Sequence, residues 1–111
     1  MKKVTELALR KSIKKWEDIV AGVGEDKGVE NCALCERFYK RDSAKCNSDG
    51  ELCPVAEATG EPFCNNSPYD DWCVFNEDNN RWWPYRATDD ESIMYAVLEL
   101  EFLKSLLPRK T

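Results

Sequence analysis

Apolar residues recur at a helical period near both ends of the chain and lose that order in between. Leu9, Ile13, Trp16, Val20 and Val23 fall on one narrow stripe, which predicts a helix over residues 5–22. Thr5 suits the cap at its start, and Gly22 and Gly24 offer left-handed positions at its end. Arg10, Lys11, Lys14, Lys15 and Asp18 occupy the opposite face. A second helix is expected over residues 89–107. Thr88 followed by Glu91 fits a capping box, and the acidic first turn suits the helix dipole. Ile93, Val97, Leu100, Leu103 and Leu107 form its stripe, Met94, Leu98, Phe102 and Leu106 widen it, and Pro108 ends it.

Between these helices the pattern changes. A short helix fits residues from about Cys32 to Asp42, and Asn47-Ser48-Asp49-Gly50 is a turn signal. Residues 54–88 hold Pro62, Pro68, Pro84 and Gly60 among few periodic runs, so irregular structure is expected there. The expected fold is therefore mainly α. Its N- and C-terminal helices pack around an irregular middle of about 28–88, zinc-knuckle-like or disulfide-stapled, and residues 1–111 form one domain.

Composition sharpens the role of that middle. The chain has six cysteines and no histidine, and every cysteine lies between Cys32 and Cys73. A Cys-x-x-Cys pair sets two thiolates at the spacing one tetrahedral ion requires. Cys32, Cys35, Cys46 and Cys53 are the expected ligands of a structural zinc site, with Cys64 as the substitute for Cys46. Soft, all-sulfur ligation also suits an iron–sulfur cluster, although the compact ferredoxin run is missing around Cys53-Pro54. Alternatively, six cysteines pair completely in any of about 15 ways. A thioredoxin-like redox role for Cys32 and Cys35 lacks the expected strand before the motif. No role is assigned to Cys73.

Charge is placed unevenly. Net charge is −5, with +3 over residues 1–45 and −8 over residues 46–111. That balance favours a basic partner for the C-terminal part. Tyr69, Trp72, Phe75, Trp82, Trp83 and Tyr85 stand there among Asp70, Asp71, Glu77 and Asp78, either as a lid on the core or as an acidic aromatic surface for another protein. Trp82 and Trp83 are adjacent, so one of them is expected to be exposed. Nucleic acid is the rival partner, met by the basic face from Arg10 to Lys15, but net charge disfavours it. The wide apolar face of the C-terminal helix also suits a homodimer. The start of the chain lacks a signal-peptide pattern and no run is long enough to span a membrane, so cytoplasmic placement is expected. Without histidine or a glycine-rich phosphate loop, a non-enzymatic accessory or protein-binding module is expected, with a disulfide-stapled acidic inhibitor or interaction protein of viral origin as an alternative.

Read together, Ser12-Ile13-Lys14-Lys15-Trp16-Glu17, Cys32-Ala33-Leu34-Cys35, Cys53-Pro54-Val55, Gly60, Cys64 and Pro68-Tyr69 with Trp72 carry a resemblance. The chain is similar over roughly Leu9 to Trp72 to a small cysteine-rich family of prokaryotes and especially their viruses. The third and fourth cysteines of that family tend to lie closer together than Cys46 and Cys53 do, and Cys73 is an addition of this chain. The resemblance implies a structural core built on the cysteines and no substrate.

Overall fold

A computed structural model describes residues 1–38, 47–48, 51–60, 64 and 66–108. Helix α1 spans Lys3–Val20 and buries Thr5, Ala8, Leu9, Ser12, Ile13, Trp16 and Ile19, one face at alternating spacings of about three and four residues. It starts before Thr5, so Thr5 is not its cap. Its hydroxyl instead donates to the Glu51 carboxylate and accepts from Arg37 Nε at 2.9 Å. Gly22, at φ 80°, turns the chain out of the helix, and the N–H groups of Val23 and Gly24 both return to the Asp18 carbonyl at 3.0 Å. This left-handed exit breaks the helical period. Val23 therefore leaves the expected stripe and is 79% exposed, while Ile19 is fully buried.

A 3₁₀ turn over Gly28–Asn31 leads into α2, Ala33–Phe38, which buries Leu34 and Phe38. The expected helix to Asp42 runs beyond Phe38 into residues outside those described. Strands β1, Asn47–Ser48, and β2, Glu51–Leu52, pair antiparallel with Asn47 opposite Leu52.

The irregular structure expected over residues 54–88 contains two helices. Helix α3 spans Pro54–Thr59 and α4 spans Pro68–Asp78, each opening with proline in its first turn. Proline is preorganised there because its missing N–H would have no helical acceptor. Gly60 closes α3 at φ 75°, its N–H donating to the Ala56 carbonyl at 2.8 Å.

Helix α5 covers Asp90–Ser105. Its capping box is shifted by one residue from the expected Thr88–Glu91. The Ser92 N–H donates to Asp89 Oδ1 at 2.9 Å and the Asp89 N–H donates to Ser92 Oγ at 3.0 Å. Asp89 is a shorter and stronger acceptor, and the buried Ser92 hydroxyl also receives the Thr88 N–H at 2.9 Å. Together with the Arg81 guanidinium at 2.7 Å, these contacts hold the Asp89 carboxyl down at about 2, the Ser92 hydroxyl being the largest cause.

Helices α1 and α5 make the most extensive contact, followed closely by α4 and α5. One buried cluster joins Leu9, Ile13, Trp16 and Ile19 to Leu34, Phe38, Val55, Trp72, Tyr85, Ala96, Leu100 and Leu103. Edge-to-face rings tighten it, with Trp16 and Trp72 centroids 5.2 Å apart at 85°. The mainly helical fold is thus observed. No helix among the described residues is long and apolar enough to cross a membrane.

Candidate functional site

A half-open cavity of about 870 Å³ lies between α1, α2, α3 and α5. Trp16, Leu34, Phe38, Val55 and Leu103 form its apolar walls, and Cys32, Cys35, Cys53 and Cys64 contribute sulfur. Large, mainly apolar cavities with a few convergent polar groups are the usual setting of a ligand site.

The sulfurs reach this cavity by different routes. Cys32 ends the 3₁₀ turn in extended conformation, at φ −104° and ψ 112°, immediately before α2. The first turn of α2 then swings Cys35 back over it. The Cys35 N–H donates to Cys32 Sγ at 3.3 Å. Cys53 is buried immediately before α3. Cys64 sits at φ 62°, a left-handed conformation uncommon for a side-chain-bearing residue. Its carbonyl accepts the Ser67 hydroxyl at 2.6 Å.

This arrangement corrects the expected metal centre. Among the described residues no three cysteine or carboxylate side chains converge to hold a metal ion. Among the described residues, therefore, neither zinc nor an iron–sulfur cluster is supported, and the expected four-cysteine metal site is overturned. The physical reason is local: Cys32 Sγ is engaged by the Cys35 N–H at 3.3 Å within its own turn, and the four sulfurs that line the cavity come from four separate points of the chain without converging on one ion. Cys46 lies outside the described residues. The disulfide staple also fails among the described residues, where no disulfide joins any of Cys32, Cys35, Cys53, Cys64 and Cys73.

The electrostatics separate the two thiols of the pair. Hydrogen bonding from Cys35, aided by the Lys15 charge, brings Cys32 down to about 6 against the cost of burial. Cys35 is pushed strongly up, first by its bond to Cys32, then by burial and by the neighbouring Cys53 and Cys64. Cys73, on α4, is raised to about 12 by burial and hydrogen-bonds Tyr69.

Two polar features were not legible as site residues. Asp26 is fully buried and accepts from Lys15 Nζ at 2.8 Å, the Gly28 N–H at 2.9 Å and Trp72 Nε1 at 3.0 Å. Its own backbone pairs with Tyr85, N–H to carbonyl at 2.8 Å and 3.0 Å. Asp26 thereby ties the segment before α2 to α1 and α4. Glu99 projects from α5 at the cavity, only 3% exposed, with Oε1 unpartnered. Burial, then the nearby Cys32, raises its carboxyl to about 8. Its sequence signal was a single charge within a wide apolar stripe.

The acidic aromatic segment divides into interior and surface. Trp72, Phe75 and Tyr85 are buried, whereas Trp82 is 85% and Trp83 50% exposed. Trp83 leans on Tyr85, with centroids 4.4 Å apart, and lies against Gly28, where an added Cβ would meet it at 3.1 Å. Asp70, Asp71, Val74, Glu77 and Asp78 are the exposed residues of α4. No cation stands on that helix, and the nearby Arg81 and Arg86 bind Asp89 and Glu25 at 2.7 Å and 2.6 Å.

On the basic side of α1 the charges are largely committed. Arg10 pairs with Glu6 at 3.2 Å, Lys14 with Asp18 at 2.8 Å and Lys15 with the buried Asp26 at 2.8 Å. No family model, no curated protein and no solved structure matches the chain.

Proposed function

We propose that the protein is a binding module that presents the outer face of α4, with Trp82 at its end, to a basic segment of a partner protein. The observation that carries this reading is the charge of α4, which has no ion-pair partner among the described residues. Asp70, Asp71, Glu77 and Asp78 are exposed on a helix that holds no cation. Glu77 and Asp78 stand at its C-terminal end, where the helix dipole favours positive charge. A lysine- or arginine-rich partner segment would relieve that conflict. Trp82 follows Asp78 by four residues, so it lies within about 14 Å of the acidic face. Its exposed indole supplies the rigid apolar anchor typical of an interface hot spot. The charge over residues 46–111 steers the same class of partner and repels nucleic acid.

The test is a titration with a synthetic peptide of alternating lysine and leucine, followed by tryptophan fluorescence, with an aspartate–leucine peptide as control. Saturable binding to the basic peptide alone, weakening as salt rises, is expected. Trp82→Ala should lower affinity by about tenfold or more, and the double variant Asp71→Asn with Asp78→Asn should flatten the salt dependence. Binding that ignores salt and all three substitutions would remove the reading.

A further inference from the structure

Cys32 and Cys35 form more than a spacing motif. Cys32 Sγ accepts the Cys35 N–H at 3.3 Å, so a backbone donor is aimed at the first sulfur, and the thiol of Cys35 lies beside it on the next helical turn. Both sulfurs line the cavity. Within its wall, Ser12 Oγ and Glu99 Oε1 are buried polar atoms without partners among the described residues. Such atoms cost free energy unless a ligand or water satisfies them. The charged groups sharing the cavity are Lys15 on α1, Lys27 and Glu30 before α2, and Glu99 on α5.

We infer that Cys32 and Cys35 are a thiol–disulfide exchange pair whose substrate is a small organic disulfide with an apolar body, seated in this cavity. Exchange begins when the Cys32 thiolate attacks one substrate sulfur. A Cys32–substrate bond forms, the substrate S–S bond breaks, and the first thiolate leaves and takes a proton from solvent. Cys35 then loses its proton and attacks Cys32 Sγ. The Cys32–Cys35 disulfide forms and the second substrate thiolate departs. The protein dithiol is oxidised by two electrons and the substrate disulfide is reduced to two thiols. The hydrogen bonds at Cys32 favour its thiolate, and Cys35 stays protonated until the mixed disulfide brings it into play.

The rate advantage follows from the thiolate fraction. Cys32, lowered by its hydrogen bonding to Cys35, is ionised to a larger share below neutral pH than an ordinary thiol. The lower basicity gives back part of that gain in nucleophilicity, leaving a net gain of about tenfold.

The reduced full-length protein mixed with dithiodipyridine tests the assignment, with released thiopyridone followed by absorbance. The expected fast phase releases two thiopyridones per chain and leaves an adduct-free protein two hydrogens lighter. Peptide mapping should place the new disulfide between Cys32 and Cys35. Cys35→Ser should stop at a stable mixed disulfide on Cys32 after one release, and Cys32→Ser should lose the fast phase. Near pH 6 the folded chain should react about tenfold faster than the same chain in urea. A stable mixed disulfide on the wild-type chain would overturn the inference. So would a fast phase that survives Cys32→Ser, or equal rates for folded and unfolded protein. Circular dichroism checks the variants' fold, and if one fails to fold, the wild-type map and rate ratio still decide.

Discussion

Where α1 meets α5, the buried cluster draws on Leu9, Ile13, Ala96, Leu100 and Leu103. Where the segment after α1 meets α4, the buried atoms are instead a carboxylate, an ammonium group, a backbone amide and an indole N–H, all gathered on Asp26. The first contact is non-directional and tolerates side chains of similar volume. The second depends on each partner, because a buried charge that loses its counter-ion is not resolvated. The helical frame therefore specifies shape, and the Asp26 junction specifies where the cysteine-bearing segment is held on that frame.

Asp26→Asn should show the largest effect on this contrast. Removing the charge leaves the partly buried Lys15 without its counter-ion and the Trp72 and Gly28 N–H groups with a weaker acceptor, at a cost of about 3 kcal/mol in urea unfolding. Replacing Lys15 by methionine in the same background should recover part of that loss. A loss no larger than about 0.5 kcal/mol for Asp26→Asn would mean that the junction is held by packing, like the helices.

Glu99 gives a second, pH-dependent distinction. Its folded value of about 8 lies above the ordinary carboxylate value of 4.5, so folding favours the protonated form. The associated stability is fully present below the unfolded value and is lost as pH rises through about 8. Thermal unfolding across that range should show stability declining, and Glu99→Gln should flatten the decline. An unchanged slope would place Glu99 in contact with solvent or a compensating charge.

Ser92→Ala should have the smallest effect, about 1–2 kcal/mol, since the buried hydroxyl serves the N–H groups of Thr88 and Asp89 at once. The loss should appear as fraying at the start of α5, read by amide exchange, with the Asp26 junction unaffected.

The sequence made the long helices readable because their buried residues repeat at the helical period. Helix α5 shifted its cap by one residue because Asp89 and Ser92 form a reciprocal pair that Thr88 and Glu91 do not. Helices α3 and α4 were hidden by their prolines. Pro68 reads as a breaker within a loop and Pro54 as part of a cysteine motif, yet each stands in a first helical turn, where it starts a helix. The cysteines of the candidate site were visible, but spacing alone did not distinguish a local hydrogen bond from convergence on an ion. Asp26 and Glu99 were illegible for another reason. A carboxylate reads as surface until tertiary contacts bury it, and no local period encodes that meeting.

Asp26 also bears on how the protein opens. Its side chain and backbone together fasten the stretch from the end of α1 to the 3₁₀ turn. Free energies of local opening vary across a fold, and a segment fastened mainly by polar contacts, Asp26 with the Glu25–Arg86 pair beside it, can detach as a unit while the helices stay formed. Amides from Gly24 to Gly28 should then exchange together, through one shared opening event that frees Cys32 from the cavity wall without global unfolding.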